Sequence, residues 1–444
     1  MSDLNQRQAQ LEQLVSDLLQ EAKTQGASAA EAGVSSDAGL SLSVRMGEPE
    51  TIEHARDNSL GVTVYFGQRK GSASTSDLSS EAVRETVQSA CNFARYTSED
   101  EFAGLADAKL MAKNIPDLDL YHPWDLRVED AIELARQCET AARERDARII
   151  NSDGASLNSY NGLHVYGNTN GFIGGYPYSN HNLSCAVVGQ EGESMQRDHW
   201  YTVSRVGEML EAPDHVGRMA ADRTLARLGA RQVQTQEAPV LFQADVAVGL
   251  LRSFIGAIRG TALYRKASFL LEHLDKQIFP DYIRIHEEPL LPCGLGSAPF
   301  DGEGVATREQ DFITGGILRS YVLDSYSARK LGMRTTCNAG GVHNLRINSG
   351  ELDREGLLRE MHTGLLVTEL MGQGVNNVTG DYSRGATGFW VENGEIQYPV
   401  EEVTIAGNLK SMFMDLRAVG TDIETRSSTQ TGSWLIERMM IAGR

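Results

Sequence analysis

The chain has 444 residues, which corresponds to two or three domains at about 150 residues each. Hydrophobic residues make up 41% of the sequence and charged residues 23%, a balance that supports a sizeable core and excludes wholesale disorder. The 60 acidic residues outnumber the 41 basic ones and give a formal net charge of −19. This charge argues against direct binding of nucleic acid or an anionic membrane, since both need Lys and Arg to contact phosphate.

The chain lacks the sequence marks of secretion or membrane insertion. Its first twenty residues contain no basic segment followed by an apolar one, so we expect no secretory signal. Apolar stretches such as Val246–Leu251 fall far short of the roughly 20 residues that span a bilayer. The five cysteines are widely spaced without a CxxC pair, which favours reduced thiols over a disulfide framework. We therefore predict a cytoplasmic protein.

The N-terminal half alternates helical and strand patterns. Apolar residues between positions 4 and 25 recur at helical spacing, and Ser79 or Ser80 suits the cap of a second helix that ends near Tyr96. Between these helices, short runs rich in β-branched residues predict antiparallel strands over 29–75. Further helices are predicted around 128–138 and over 214–230.

A segment rich in Gly, Asn and Tyr, 151–206, predicts a series of β-hairpins. It contains Asn161-Gly162 and Asn170-Gly171, and Asn-Gly suits the positive φ angles of type I′ turns. We expect a turn at each of these two dipeptides.

The C-terminal half follows a polar linker over 231–238. We predict a short strand over 239–242, an apolar helix over 246–258, and a hairpin whose turn is Asn393-Gly394. Helices mixed with antiparallel hairpins, without regular βαβ alternation, predict an α+β fold. Its N-terminal α+β domain spans 1–232, with a further division near 110–125, and a mixed, largely antiparallel β domain with helices spans 233–444.

Familiar catalytic motifs are incomplete. His286-Glu287 begins an HExxH pattern, but Leu290 occupies the second histidine position and Pro289 would break the helix. The histidines show no ligand spacing, so spacing predicts no metal site. The sequence also lacks a GxSxG elbow and the glycine patterns of nucleotide-binding loops. Cys337 lies near His343 in the sequence, which could indicate a Cys/His catalytic couple. A cysteine buried near a loop is the more common explanation, so we predict that Cys337 is buried.

Two polar loops are the more distinctive candidates. Asp301 and Glu303 stand two residues apart between glycines, so both could face one cleft and bind a cation or a substrate amine. The alternative is a turn that carries two solvated acids. Asn377 and Asp381, in the loop 376–383, offer similar polar groups, with turn formation as the alternative.

These loops lie inside segments that resemble a known family. APFDGEGVATREQDFITGGILRSYVLDSYSARKLG (298–332), VNNVTGDYSRGATGFWVENGEIQYPVEEVTIAGNL (375–409) and the closing VGTDIETRSS resemble signatures of the TldD/PmbA family. GVTVYFGQRKGSASTSDLS (61–79) is similar to the family's first domain. The resemblance covers nearly the whole chain and is closer to the PmbA branch, also called TldE.

The resemblance implies a cytoplasmic protein with a two-part α+β fold. In this family the TldD branch is a zinc metallopeptidase with a His-Glu-x-x-x-His motif, and TldD forms a heterodimer with PmbA/TldE. The complex trims a microcin precursor and degrades unfolded or antitoxin peptides, and the older family label is modulator of DNA gyrase.

The chain departs from the TldD pattern at the zinc motif. By resemblance, Arg252 and Ala257 occupy the positions of the two histidine ligands, and Ser253 that of the general-base glutamate. Arg keeps its proton and Ala has no donor atom, so neither can bind zinc. TldD also has a cysteine ligand near its C-terminus, whereas the last cysteine here is Cys337 and Thr425–Ser433 contains none. We expect no cofactor in this chain and zinc in a TldD-type partner.

The resulting prediction is a non-catalytic PmbA/TldE-type subunit that helps a TldD-type partner hold unfolded or extended peptides. The predicted substrate contacts are Asp301, Glu303, Asn377 and Asp381; the chain alone could also form a homodimer. One alternative is a non-proteolytic binding protein that modulates DNA gyrase or a toxin–antitoxin target. The other is an independent hydrolase with His273, His286 and Glu287 as ligands.

Overall fold

A computed structural model describes residues 2–444 of the chain, with side chains from Leu4 onward. The fold is α+β, as predicted. The helices are α1 (Ser2–Thr24), α2 (Ser80–Tyr96), α3 (Val128–Arg143), α4 (Pro213–Ala226), α5 (Ala244–Ile258), α6 (Gly260–Tyr264), α7 (Ser325–Lys330), α8 (Arg354–Met361) and α9 (Leu409–Met414). Among the described residues, no helix is both long and apolar enough to span a membrane.

The strands fall into three sheets. Those of the first sheet are β1 (Ala29–Arg45), β2 (Glu48–Phe66), β3 (Arg69–Thr75), β4 (Ile149–Asn168), β5 (Ile173–Glu191) and β6 (Ser194–Ser204). Those of the other two are β7 (Gln236–Phe242), β8 (Ile285–Glu287), β9 (Gln310–Thr314), β10 (Ile317–Leu318), β11 (Leu345–Ile347), β12 (Gly364–Met371), β13 (Asp381–Glu392), β14 (Glu395–Asn408), β15 (Leu416–Val419), β16 (Thr429–Gln430) and β17 (Trp434–Ala442).

The first sheet is antiparallel throughout, in the order β3-β2-β1-β4-β5-β6. Helices α1 and α2 cover one end of its strands, where the core includes Val34, and α3 and α4 cover the other end, where it includes Leu42. Side chains alternate between the faces of a strand, so these even-numbered residues of β1 share one face. Both helix pairs therefore pack on the same side of the sheet.

One of the two predicted turns in this sheet is wrong. Asn170-Gly171 lies between β4 and β5, and Gly171 has φ +92°. Asn161-Gly162 instead lies inside β4, where Gly162 pairs with Asp37 on one side and Tyr178 on the other. A Cβ at Gly162 would lie 2.3 Å from the Tyr178 ring. The glycine is therefore needed because an aromatic side chain packs against the strand here, and not because the chain turns.

The C-terminal half contains the other two sheets. One has the order β14-β13-β12-β7-β17-β15, with β7 parallel to β12, and the other the order β10-β9-β8-β11-β16. Helix α5 follows central strand β7 and packs into the core that includes Phe254, Phe279 and Phe413. The rings of Phe279 and Phe413 stack with centroids 4.8 Å apart. This core holds α5 in position. The resemblance places the zinc motif of the TldD branch on the same helix.

The halves of the chain contact each other through long-range hydrogen bonds. Arg205, at the end of the first sheet, donates to the carbonyl of Leu295 at 2.8 Å. The predicted boundary at 232/233 falls between α4 and β7, and strands on both sides of 110–125 belong to the first sheet. The predicted domain limits stay a prediction.

Candidate functional site

Helix α5 presents the three positions that sequence analysis compared with the zinc motif. Arg252 is exposed, Ser253 is half-buried, and Ala257 is fully buried in the core. The Ser253 hydroxyl donates to the carbonyl of Gly249, one turn earlier, at 2.9 Å. A guanidinium stays protonated and a methyl group has no lone pair, so this face of α5 does not fit a zinc ion.

Arg252 instead forms a hydrogen bond with the segment near the C-terminus that the resemblance associates with the cysteine ligand of TldD chains. Its Nη2 donates to Ser427 Oγ at 3.1 Å. Ser427 Oγ also accepts the N–H of Thr429, at the start of β16, at 3.1 Å. The structure thus brings together the two segments that the resemblance singled out, and a hydrogen bond joins them.

A cavity of about 300 Å³ adjoins this bond. Its lining consists of α5 residues, Arg259, β16 and a glycine-containing loop: Arg252, Ile255, Gly256, Arg259, Gly340, Gly341, Val342 and Thr429. We call Asn338–His343 the glycine loop. Cavities of about 230 and 260 Å³ also touch Gly340 and Gly341, so a groove follows the loop. This loop was not among the predicted sites; its adjacent glycines, Gly340 and Gly341, were the available signal in the sequence.

A buried carboxylate holds the glycine loop in place. Glu287, 1% exposed, accepts hydrogen bonds from Asn338 Nδ2 and from the His343 N–H, each at 2.8 Å. Burial raises the pKa of Glu287 and lowers the pKa of His343 to about 4. His343 is therefore a neutral imidazole at neutral pH.

This arrangement separates the ligands of the independent-hydrolase alternative. His286 and Glu287 are consecutive residues of β8 and point to opposite faces. The His273 ring bonds to the carbonyl of Leu271 at 2.6 Å. Within residues 2–444, no cluster of metal-ligand atoms contains these three side chains.

Asp301 and Glu303 are less exposed than the solvated-acid interpretation required. Asp301 is 2% exposed, and its carboxylate accepts the N–H groups of Glu303, Val305 and Ala339 at 2.9–3.1 Å. Glu303 accepts the N–H and the hydroxyl of Ser325, at 3.0 and 2.5 Å. Burial raises the pKa of Asp301 to about 6 and the pKa of Glu303 to about 7. Both acids tie loops together beside the groove.

The second predicted loop lies apart from this groove. Asp381 begins β13, is exposed, and accepts from Thr379 Oγ1 at 2.6 Å and Asn408 Nδ2 at 3.1 Å. These hydrogen bonds lower the pKa of Asp381. The carbonyl of Asn377 accepts the Phe269 N–H at 2.9 Å. Among the described residues, Asp301 lines one of the three cavities, whereas Asn377 and Asp381 line none of them. The roles of all four residues in substrate binding stay predictions.

The predicted burial of Cys337 is confirmed. Its side chain is 3% exposed, and Arg308 Nη1 lies 3.0 Å from its sulfur. Burial raises the pKa of the Cys337 thiol to about 11, which does not suit a nucleophile at neutral pH.

Comparison with known proteins identifies the family of this chain. The models for domain 1, the central domain and the C-terminal domain of the PmbA/TldA metallopeptidases match residues 30–94, 121–228 and 235–443. The chain is 52% identical to the metalloprotease PmbA of Escherichia coli O157:H7, over 100% of this chain and 99% of that protein.

Solved structures share the fold. A Bacteroides thetaiotaomicron protein described as a candidate modulator of DNA gyrase superposes with a TM-score of 0.92 at 30% identity, over 97% of this chain and 98% of that one. TldE of Thermococcus kodakarensis superposes with a TM-score of 0.84 at 20% identity, over 97% of this chain and 100% of that one. The family models and the full-length identity place this chain in the TldD/PmbA family, in its PmbA (TldE) branch.

Proposed function

We propose that this chain is the non-catalytic subunit of a cytoplasmic zinc metalloprotease complex, in which a TldD-type partner supplies the zinc site. The main support is the Arg252–Ser427 hydrogen bond, because it joins the two segments that hold the zinc ligands in the TldD branch. Arginine forms a stable hydrogen-bonded link there but cannot act as a Lewis acid or generate a hydroxide.

In this proposal the groove along the glycine loop holds part of an extended peptide. Arg252 and Arg259 line it and are both exposed, so each keeps N–H groups free to bind peptide carbonyls or carboxylates. Arg259 donates one weak hydrogen bond, at 3.3 Å, to the carbonyl of Gly340. These contacts are made to the peptide backbone or to any anionic group, so binding would tolerate different sequences.

Strand β16 offers a second mode of backbone recognition. It is the last strand of its sheet, pairs in parallel with β11, and contributes Thr429 to the cavity wall. An extended peptide can add to such an edge through main-chain hydrogen bonds. This mode suits unstructured substrates, because a folded chain has few free strands to offer.

The decisive experiment asks which subunit must carry zinc. We would remove metal from this chain and from a TldD-type partner, reload one of them, remove excess metal, and measure cleavage of an unstructured peptide. We expect cleavage only when the reloaded partner is mixed with this chain. Cleavage by this chain alone, or by its mixture with a partner variant that cannot bind zinc, would contradict the proposal.

Arg252 variants separate assembly from catalysis. In the mixture, Arg252→Ala should weaken subunit assembly or peptide binding and leave kcat at saturating peptide unchanged, since the residue takes no part in zinc chemistry. The matched control is Arg334→Ala, which removes an exposed arginine that lies outside the cavity lining. A complete loss of kcat by the fully assembled, peptide-saturated Arg252→Ala complex would contradict the proposal, because it would mean that Arg252 takes part in the reaction itself.

A further inference from the structure

Three different metal-binding side chains meet where the N-terminal and C-terminal halves of the chain touch. Asp119 and His122 lie in the loop before α3, and Cys293 lies in the loop after β8. Cys293 Sγ lies 3.1 Å from Asp119 Oδ2 and 3.6 Å from His122 Nε2. His122 Nε2 lies 3.2 Å from Asp119 Oδ1. Throughout residues 2–444, this is the one group of three or more such side chains whose ligand atoms all lie within 4.8 Å.

These spacings approach those of a tetrahedral metal site. Sulfur, nitrogen and oxygen ligands bind Zn²⁺ at about 2.0–2.3 Å, so two ligand atoms at tetrahedral angles lie about 3.3–3.7 Å apart. The separation of the sulfur and the ring nitrogen falls in this range. Different oxygens of Asp119 lie nearest to these two atoms, Oδ2 at 3.1 Å from the sulfur and Oδ1 at 3.2 Å from the ring nitrogen. Rotation of this exposed carboxylate would direct one oxygen at a metal ion bound by all three side chains.

The backbone on both sides of the cluster is fixed. The His122 N–H donates to Ser179 Oγ at 2.9 Å, and the His122 carbonyl lies 2.9 Å from His181 Nε2. Across the junction, the Cys293 N–H donates to the carbonyl of Leu118 at 2.9 Å. Ser179 and His181 are fully buried, so the loops that carry the ligands are held before any ion binds.

Two of the three ligand residues also adopt a backbone conformation that is unfavourable for their type. Asp119 has φ +56° and Cys293 has φ +55°. A left-handed conformation is uncommon at a non-glycine residue and persists only where surrounding contacts enforce it. Here it brings the side chains of two loops, 174 residues apart in sequence, into contact.

The chemistry of the three groups also suits a cation. The Asp119 carboxylate lies 3.1 Å from the Cys293 sulfur, so a negatively charged group stands next to the sulfur that would bind the metal. Cys293 would bind zinc as a thiolate, and its thiol proton would pass to solvent when the ion binds.

We propose that Asp119, His122 and Cys293 form a zinc site that links the two halves of the chain. A thiolate and an imidazole select zinc over magnesium or calcium, which prefer ligand sets made of oxygen. The three side chains leave a fourth position for water. This zinc would be structural and separate from the catalytic zinc of the partner, so it departs from the expectation, drawn from the sequence, of a chain without a cofactor. The zinc-site proposal does not rest on the proposed peptide-binding function.

Cobalt serves as the probe, because Co²⁺ bound by a thiolate gives a near-ultraviolet charge-transfer absorption. We would titrate Co²⁺ into the full-length, chelator-treated chain and then add Zn²⁺ in competition. We expect a band that saturates at one equivalent and disappears when zinc is added. Cys293→Ser should abolish the band, and His122→Ala should weaken cobalt binding at least tenfold.

Two controls match these variants. Cys337→Ser removes a different buried thiol, and His215→Ala removes an exposed histidine on α4; both should keep the wild-type titration. Zinc should raise the Tm of the wild type and of both controls, but not that of Cys293→Ser, since only a ligand that binds the folded state stabilises it.

The absence of a cobalt band from the wild-type chain would overturn the proposal, whatever the stability of the variants. A band that survives in Cys293→Ser would overturn it as well, because another thiol would then be the ligand. In either case the three side chains form a hydrogen-bonded cluster that needs no metal.

Discussion

At the residue scale, carboxylates buried beside the groove join loops that are distant in sequence. Asp301 connects its own turn to Ala339 of the glycine loop, and Glu303 caps the start of α7 through Ser325. Glu287 supports the glycine loop from its other side. Removing an acceptor from any of these pairs would leave buried N–H groups without partners, at about 1–3 kcal/mol each.

The carboxyl group of Glu303 should make the stability of the folded chain depend on pH. Burial raises the pKa of its carboxyl from the ordinary 4.5 to about 7 in the folded chain. Between these values the folded state binds more protons than the unfolded state, so the free energy of unfolding falls as the pH rises. We expect the stability of the wild type relative to Glu303→Gln to fall from pH 4.5 to 7 and to level off above pH 8.

Urea unfolding of both proteins at a series of pH values measures this difference. Glu309→Gln is the matched control, because its exposed carboxylate should leave the pH profile of the wild type unchanged. A relative stability that rises over the same pH interval would show that the folded state favours the ionised form of Glu303.

At the scale of elements, long strands decide which short motifs form turns. Asn393-Gly394 lies between β13 and β14 with φ +53° and +78°, as predicted from sequence. Asn161-Gly162 has the same composition but lies within a 20-residue strand that is paired along both edges. Pairing with two neighbouring strands overrides the preference of Asn-Gly for a turn, because each neighbouring strand supplies many backbone hydrogen bonds.

Two glycines in turns, Gly171 and Gly394, have different surroundings, so substitution by alanine should destabilise the protein to different extents. A Cβ at Gly394 would lie 2.8 Å from Cα of Arg359 in α8, whereas a Cβ at Gly171 would meet no atom within 4 Å. Both have positive φ, which costs an alanine about 1–2 kcal/mol. We expect Gly171→Ala to cost about that much and Gly394→Ala to cost clearly more, because α8 must also move.

Chemical denaturation of the two variants tests this order. Gly249→Ala in α5 serves as a third variant that should not destabilise the protein. Its Cβ would meet no atom within 4 Å, and alanine has a higher helix propensity than glycine. If Gly394→Ala and Gly171→Ala lowered the free energy of unfolding equally, α8 would be able to move away from the new Cβ without a measurable loss of stability.

At the scale of the whole molecule, arginines join the N-terminal and C-terminal halves. Arg205 reaches from the first sheet to the loop that contains Gly294 and Leu295. Arg329 of α7 reaches in the opposite direction, to the carbonyls of Phe102, Gly104 and Leu105. A guanidinium has five N–H donors, so one side chain can hold several turns of a loop at once.

Arg329 should control the order of the segment 100–105. Arg329→Met keeps much of the apolar stem but removes every donor, so we expect proteolysis near this segment to become several-fold faster. Arg334→Met, at an exposed position four residues beyond α7, should leave the cleavage rate unchanged. Limited proteolysis with mass-spectrometric mapping gives both rates. An unchanged rate for Arg329→Met would mean that other contacts suffice to order the segment.

The family, the α+β class and most of the helices can be read from the sequence, because characteristic segments, apolar periodicity and capping residues are local signals. That Arg252 and Ala257 cannot bind zinc follows from residue type alone. The burial of Asp301 and the contact between Arg252 and Ser427 become visible only in the folded chain. Likewise, the cluster of Asp119, His122 and Cys293 joins loops more than 170 residues apart. Contacts of this kind depend on how sheets and loops pack, which no local spacing encodes.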